Sequence, residues 1–146
     1  KALRAYKSTL PLIGIFPVGV TNGRHSLLPS RGQVVSYSGA KSGSVGAPLN
    51  PDHTHFVLVD NGVEGGKAFG SEIQLRAALE AYISRCKGVP IVQLVVQGGP
   101  GTLQTVRATA EALNPIVVLT DSGGAAEAIH EYVLNGALPE RLQKFA

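Results

Sequence analysis

The stretch PIVQLVVQGGPGTL, residues 90–103, joins an apolar run to a glycine-rich turn. Residues 90–97 are rich in β-branched side chains and are followed by glycine, which is typical of a strand buried within a parallel sheet. The turn Gly98-Gly99-Pro100-Gly101-Thr102 then opens a helical pattern over residues 102–113. The stretch therefore predicts one strand–turn–helix unit of an α/β protein.

Similar units recur along the chain. Three further apolar runs have the length of buried strands, and each is followed by glycine: residues 12–20, 55–60 and 115–121. Further helices are predicted over residues 71–87 and 124–134, with shorter ones at 2–8 and 139–145. Because parallel strands need crossover connections, this alternation predicts a doubly wound α/β fold, a parallel sheet with helices on both faces.

The helix at residues 71–87 has the clearest pattern. A capping box in Ser71-Glu72-Ile73-Gln74 is predicted to start it, and Gly88 is predicted to end it. Its apolar stripe is predicted to face the core and consists of Leu75, Leu79, Tyr82, Ile83 and Cys86. Since Cys86 is the single cysteine, it has no internal disulfide partner, and its place in the stripe predicts a small core residue in a reducing compartment.

Composition indicates one packed domain. The chain has 146 residues, of which 44% are hydrophobic and 16% charged, so we expect residues 1–146 to form a single domain with its own core. Residues 21–53 are rich in Gly, Ser and Pro, and we expect a long irregular loop there. Because four strands leave an open sheet edge, we also expect that sequence preceding Lys1 has been removed.

Charge and hydropathy exclude several classes of partner. No apolar stretch approaches the roughly 18 residues that a membrane span needs. The net charge of +3 is scattered along the chain, and four Tyr with no Trp leave little to stack on single-stranded bases. We therefore expect no nucleic-acid partner and no direct membrane insertion, and the basic balance suits a small anion.

The turn at residues 98–102 is the first candidate site for such an anion. Backbone N–H groups of a glycine-rich turn, next to the positive end of a helix, bind phosphate. Gly98, Gly99 and Gly101 permit a close approach of the backbone, and the Thr102 hydroxyl either adds a donor or caps the helix. The alternative is an ordinary turn between a strand and a helix.

The turn Asp121-Ser122-Gly123-Gly124 repeats this arrangement after the last strand. Since adjacent parallel strands end at the same edge of a sheet, we expect the two turns to meet and to hold a diphosphate. Considered alone, the second turn also has a purely structural interpretation, because Asp-Ser-Gly begins many helices without binding a ligand.

Two side chains beyond the strand-end turn Asp60-Asn61-Gly62-Val63-Glu64-Gly65-Gly66 suit a nucleotide. Phe69 offers an aromatic face to a base, and Arg76 offers a fork of donors to a pyrophosphate. Arg76 also has a structural explanation, since Glu72 and Glu80 lie four residues to either side and suit ion pairs on a helix surface.

Residue types used in catalysis show no matching pattern. The histidines lack the spacing of metal ligands; they are His25, His53, His55 and His130. The candidate serines have no recognisable partner base; they are Ser26, Ser30 and Ser122. We therefore predict no catalytic residue, no metal site and no catalytic cofactor.

Three strings in order resemble one family: HTHFVLVDNG at residues 53–62, GSEIQLR at 70–76 and GGPGTL at 98–103. They closely resemble the amino-terminal melastatin homology region of TRPM cation channels, and most of all the ADP-ribose-gated type. Ile13-Gly14-Ile15 and Gly19-Val20 also fit, so the resemblance spans residues 12–130. It implies the SLOG fold, a Rossmann-like nucleotide-binding sheet on the cytoplasmic side of a tetrameric channel.

The resemblance also implies a ligand and its contacts. In the ADP-ribose-gated members this domain binds ADP-ribose to help open a calcium-permeable channel. By this resemblance Arg76 contacts the ligand, Phe69 stacks on adenine, and Gly98 to Leu103 form the phosphate loop. Gly124 falls where some members carry an arginine at the adenine. Typical members have two more strand-and-turn units upstream, so the chain resembles the carboxyl-terminal part of a larger domain.

Three functions follow as alternatives. The first is a domain that senses ADP-ribose or a related adenine diphosphate without turning it over. The second is a SLOG-type nucleotide phosphoribohydrolase, which needs a glutamate three positions after the threonine of the turn, where this chain has Thr105. The third is a structural channel-assembly domain with a decayed ligand site, for which Gly124 is the main argument.

Overall fold

The computed structural model describes residues 9–27, 32–39 and 46–145. Contacts divide the chain into two compact units, Lys1–Glu72 and Ile73–Ala146. Each unit combines one pair of parallel strands with helices, which confirms the Rossmann-like α/β fold class. The helix predicted at residues 2–8 lies outside the described residues.

The first unit is built on the parallel strands β1 (Ile13–Pro17) and β2 (His55–Val59). Their register runs from Ile13 opposite His55 to Pro17 opposite Val59. Three short helical segments follow the strands: a 3-10 helix at Val18–Val20, helix α1 at Arg24–Leu27 and a 3-10 helix at Gly65–Ala68. β1 is shorter than the predicted strand at 12–20 because its last residues turn into the first 3-10 helix.

The turns after β1 and β2 pack closely against each other. A Cβ atom on Gly19 would collide with the carbonyl oxygen of Val63 and lie 2.7 Å from the Cβ of Ala68. Arg24 closes the same corner, because its Nη2 lies 2.6 Å from Glu64 Oε1 and its Nη1 donates to the Gly19 carbonyl at 3.3 Å. Buried hydrophobic residues of this unit therefore lie at the carboxyl ends of its strands: Val18, Val20 and Ala68.

Tyrosine and threonine contacts hold the long connection of residues 21–53. Thr21 forms a parallel bridge with Ala47. The Tyr37 hydroxyl donates to the carbonyl of Asn22 at 2.8 Å and accepts the N–H of Leu49 at 3.0 Å. Of the described residues in this connection, Arg24–Leu27 alone are α-helical, so irregular backbone predominates there.

The second unit contains the parallel strands β3 (Gln93–Val96) and β4 (Ile116–Leu119). Its helices are α2 (Ile73–Lys87), α3 (Pro100–Glu111) and α4 (Gly124–Asn135), with 3-10 helices at Thr120–Ser122 and Glu140–Phe145. Both α3 and α4 contact β3 and β4, and α2 contacts α3. The predicted alternation of strand, turn and helix is present here, and the terminal helix predicted at 139–145 is a 3-10 helix.

The sheets differ from the prediction in how many strands each one contains and in how many of their faces the helices cover. In place of one four-stranded sheet, the described residues form two separate two-stranded sheets. β3 alternates buried and exposed residues: Val95 is buried, whereas Leu94 is 65% exposed. Val117, which pairs with Leu94 on β4, is 53% exposed. Helices therefore cover one face of this strand pair, and an apolar face of Leu94, Val96, Val117 and Leu119 is open.

Helix α2 differs from prediction at its start and in its buried stripe. It begins at Ile73, and the predicted capping box does not form: the Glu72 carboxylate accepts the N–H of Gly70 at 3.0 Å, and the buried Ser71 hydroxyl has no hydrogen-bond partner among the described residues. Cys86 is exposed, so its assignment to the core was wrong. Leu75 and Tyr82 are also exposed, whereas Leu79 and Ile83 of the predicted stripe are half-buried. The other half-buried residues of this helix are Ile73, Arg76, Ala77, Glu80 and Ser84.

Candidate functional site

The first glycine turn connects the end of β3 to the start of α3. Gly98 has a φ of 95°, and a Cβ atom there would lie 2.7 Å from the Cβ of Thr102, so the turn requires glycine. The Thr102 hydroxyl accepts the N–H of Gly99 at 3.2 Å. Helix α3 begins at Pro100, two residues before the predicted start at 102, because proline suits the first helical position.

The second glycine turn lies against the first, as its position after the adjacent strand predicts. Ser122 Oγ accepts the N–H of Gln97 at 2.7 Å and donates to the carbonyl of Leu119 at 2.6 Å. The N–H groups of Ala125 and Ala126 donate to the carbonyls of Gly98 and Gln97, both at 3.1 Å. Three hydrogen bonds therefore join the two turns directly.

Gly124 lies at the point of closest approach between the turns. Its φ is 60°, and a Cβ atom there would collide with the Gly98 carbonyl oxygen and lie 3.3 Å from Gln97 C and Gly98 N. No larger side chain fits this position while the turns keep their packing. Glycine at this position is thus a requirement of the local backbone.

The packing of the turns limits which N–H groups are free to meet an anion. Ala125 and Ala126 at the start of α4 already donate to carbonyls of the first turn. The N–H groups of Gly98, Gly101, Gly123 and Gly124 make no hydrogen bond among the described residues. These free donors lie at the amino ends of α3 and α4, where the helix dipoles are positive.

Arg76 lies in the first turn of α2, within the second unit. Its Nε donates to Glu80 Oε1 at 2.7 Å, so one of the two predicted ion pairs forms. Glu72 is engaged elsewhere, by the N–H of Gly70. The side chains of Arg76 and Glu80 are 42% and 29% exposed, so the ion pair is partly buried.

Phe69 belongs to the first unit, whereas Arg76 and both glycine turns belong to the second. Its side chain is 56% exposed, directly after the 3-10 helix Gly65–Ala68. The turn before it is shaped by side-chain acceptors, since Asp60 Oδ1 accepts the N–H of Gly62 at 2.9 Å and Asn61 Oδ1 accepts that of Val63 at 3.1 Å. The aromatic face of Phe69 is therefore accessible.

An apolar cavity that the sequence did not indicate lies between α3 and α4. Its volume is about 220 Å³, and it is lined by Leu103, Ala128, Ile129, Tyr132, Val133 and Leu138. Leu103, predicted as part of the phosphate loop, thus contributes its side chain to this cavity. Spacing alone did not identify the cavity, because its residues come from two helices and from the segment after α4.

Histidine and carboxylate side chains do not gather into a metal site in the part of the chain that the structure describes. The His53 ring contacts that of Phe56, with centroids 5.6 Å apart, and His53 Nδ1 lies 3.2 Å from the Asn50 carbonyl oxygen. Among the described residues, each helix is too short or too polar to span a bilayer.

Comparison with known proteins identifies the family. The family model described as SLOG in TRPM matches residues 1–141. The transient receptor potential cation channel trpm of Drosophila melanogaster is 36% identical over 136 residues, which cover 85% of this chain and 7% of that protein. Transient receptor potential cation channel subfamily M member 1 of Mus musculus is 35% identical over 153 residues, covering 93% of this chain and 9% of the relative.

Subfamily M member 2 of Rattus norvegicus is 36% identical over 127 residues, covering 80% of this chain and 8% of that relative. The chain thus spans less than a tenth of the length of these relatives. The family match extends over both compact units and includes both glycine turns. The chain belongs to the SLOG domain family of TRPM channels.

Proposed function

We propose that the chain is the cytoplasmic nucleotide-sensing domain of a TRPM-like, calcium-permeable cation channel. It binds ADP-ribose or a related adenine diphosphate, and binding promotes gating. The observation that carries this proposal is the joining of two glycine turns by three hydrogen bonds, with free N–H groups at the amino ends of two helices. The remainder of a tetrameric channel is the proposed macromolecular partner.

The free N–H groups support a phosphate-bearing ligand. Gly101 lies in the first turn of α3, and Gly123 and Gly124 lie at the start of α4. A phosphate here gains hydrogen bonds from backbone donors and a favourable interaction with two helix dipoles. A diphosphate suits the pair of turns better than a single phosphate, because each turn then meets one phosphoryl group.

Arg76 supports the same ligand from α2. This helix ends at Lys87, shortly before β3 begins at Gln93, and it packs against α3. Its 15 residues span about 22 Å, so its first turn lies toward the edge of the strands where α3 begins. This orientation supports the proposal that Arg76 adds a positive charge to a ligand held by the turns.

We propose binding without turnover. Thr105 occupies the position at which a hydrolase of this fold class would need a glutamate, and its hydroxyl donates to the Gly101 carbonyl at 3.1 Å. Nothing at this position can exchange a proton with a ribosyl bond as a carboxylate does. Released base or ribose 5-phosphate in a chromatogram of an incubated nucleotide would favour the hydrolase alternative.

Titration calorimetry with ADP-ribose tests the proposal on the full 146-residue chain. We expect binding by the wild type and at least about a tenfold weaker affinity for Arg76→Ala, since one charge-assisted hydrogen bond is lost. Arg107→Ala is the matched control, because Arg107 forms the same pair with Glu111 on an exposed surface of α3. Equal heats for the wild type and Arg76→Ala would exclude Arg76 from the site.

The structural alternative has its own test. A domain whose site has decayed gains no stability from any adenine diphosphate, whereas the stability of a binding domain rises with the logarithm of ligand concentration above Kd. A thermal-shift series over ligand concentration therefore separates the sensor from a purely structural domain.

A further inference from the structure

The Arg76–Glu80 pair uses one edge of the guanidinium group. The hydrogen bond runs from Nε to Glu80 Oε1 at 2.7 Å. The two terminal amino groups, Nη1 and Nη2, make no hydrogen bond among the described residues. Arginine carries five N–H donors in a rigid plane, so fixing the Nε edge also fixes the direction of the terminal fork.

We propose that Glu80 is a positioning residue for the diphosphate ligand, which it does not itself touch. It holds Nε of Arg76, so that the Nη fork is presented to the phosphoryl oxygens before the ligand arrives. This inference rests on the proposed function, in which Arg76 binds the ligand. The gain is entropic: a long side chain that is already ordered loses less freedom when it binds.

A second pair in the same chain shows how the Arg76–Glu80 pair differs from an ordinary surface pair. Arg107 Nε donates to Glu111 Oε1, also at 2.7 Å and also across four residues. Those side chains are 81% and 63% exposed, against 42% and 29% for Arg76 and Glu80. Water competes less for the partly buried pair, so it restrains its arginine more strongly than the solvated pair does.

Two substitutions separate positioning from charge. Glu80→Asp keeps the negative charge but draws the carboxylate back by one methylene group, away from Nε. Glu80→Gln removes the charge but keeps an acceptor oxygen at full length. Positioning predicts about fivefold weaker ADP-ribose binding for Glu80→Asp and a change within about twofold for Glu80→Gln. If Glu80 acts only by repelling the anion, Glu80→Gln should bind ADP-ribose more tightly and Glu80→Asp should bind it as the wild type does.

Matched variants complete the calorimetric experiment. Glu111→Asp should leave the affinity unchanged, because Glu111 belongs to the solvated pair. In an Arg76→Lys background, Glu80→Asp should no longer weaken binding, since lysine has no Nε edge to hold. Wild-type affinity for Glu80→Asp in the native background would overturn the positioning role, and so would an equal loss in both backgrounds.

A measurement on the free protein distinguishes failure of this inference from failure of the proposed function. The Nε–H signal of Arg76 in a proton–nitrogen correlation spectrum should exchange with water more slowly than that of Arg107. Glu80→Asp should abolish this protection. If the protection is present but the wild type binds no ADP-ribose, the proposed function fails. If the wild type binds and Arg76→Ala binds equally well, the inference fails, because Arg76 then lies outside the site. If the Arg76 signal exchanges as fast as that of Arg107, the inference fails.

Discussion

Replacement of Gly124 by alanine tests the packing of the two glycine turns. The new Cβ atom would meet the Gly98 carbonyl oxygen and lie 3.3 Å from Gln97 C and Gly98 N. These neighbours are backbone atoms, so relief requires the turns to separate. Separation weakens the hydrogen bonds that Ala125 and Ala126 donate to the first turn, both 3.1 Å long.

The expected loss of stability has two parts. A residue with a Cβ atom at a φ of 60° costs about 1 kcal/mol relative to glycine. Weakening two backbone hydrogen bonds costs about 1 kcal/mol each. Gly124→Ala should therefore lower the free energy of unfolding by about 2–3 kcal/mol, as measured by urea denaturation of the full chain.

Gly136→Ala is the matched control for this prediction. Gly136 ends α4 with a φ of 68°, and a Cβ atom there meets nothing within 4 Å. This substitution costs only the strain of a Cβ atom at a positive φ, about 1 kcal/mol. If Gly124→Ala destabilises the protein no more than Gly136→Ala does, the two turns are not in close contact and the derived site geometry is wrong.

Two further predictions concern the open strand face and the first unit. Replacing Leu94 and Val117 together by threonine should reduce self-association and the binding of a hydrophobic dye, because both side chains are exposed on the open strand face. The free energy of unfolding should change by less than about 0.5 kcal/mol, since threonine suits a strand. A large loss of stability would mean that this face is covered. Arg24→Ala should remove the ion pair with Glu64 and the hydrogen bond to the Gly19 carbonyl. The free energy of local opening at Thr21 should fall by about 1 kcal/mol, which amide hydrogen exchange measures as faster exchange. Unchanged exchange at Thr21 would show that Arg24 does not hold this corner together.

The glycine turns were predictable because their signals are local. Residues 90–97 form an apolar run, and Gly98 follows at the point where the chain must turn sharply. The same is true of the second turn, and the meeting of the two follows from the parallel arrangement of their strands. Short-range pattern and topology together were therefore sufficient to predict that the two turns meet.

Side-chain exposure was harder to predict than element order. The run around Leu94 contains the same residue types whether helices cover one face of the strand or both. In α2, the pattern of large apolar residues predicted a stripe through Leu75 and Tyr82, yet the half-buried residues include Ala77 and Arg76. Small and amphipathic side chains carry little signal in a hydrophobic pattern, because their burial depends on which neighbour approaches.

Gly124 shows how a contact changes the meaning of a substitution. From the resemblance alone, glycine in place of an arginine indicated a weakened or decayed ligand site. The contact with Gly98 instead makes glycine necessary for this arrangement of the turns. For the proposed site, we therefore expect the attraction for the ligand to come from the backbone donors and Arg76 and not from the side chain at position 124. We therefore expect the affinity for a diphosphate to depend on how firmly Glu80 orients Arg76, since the hydrogen bond from Nε to Glu80 Oε1 fixes the direction of the terminal fork.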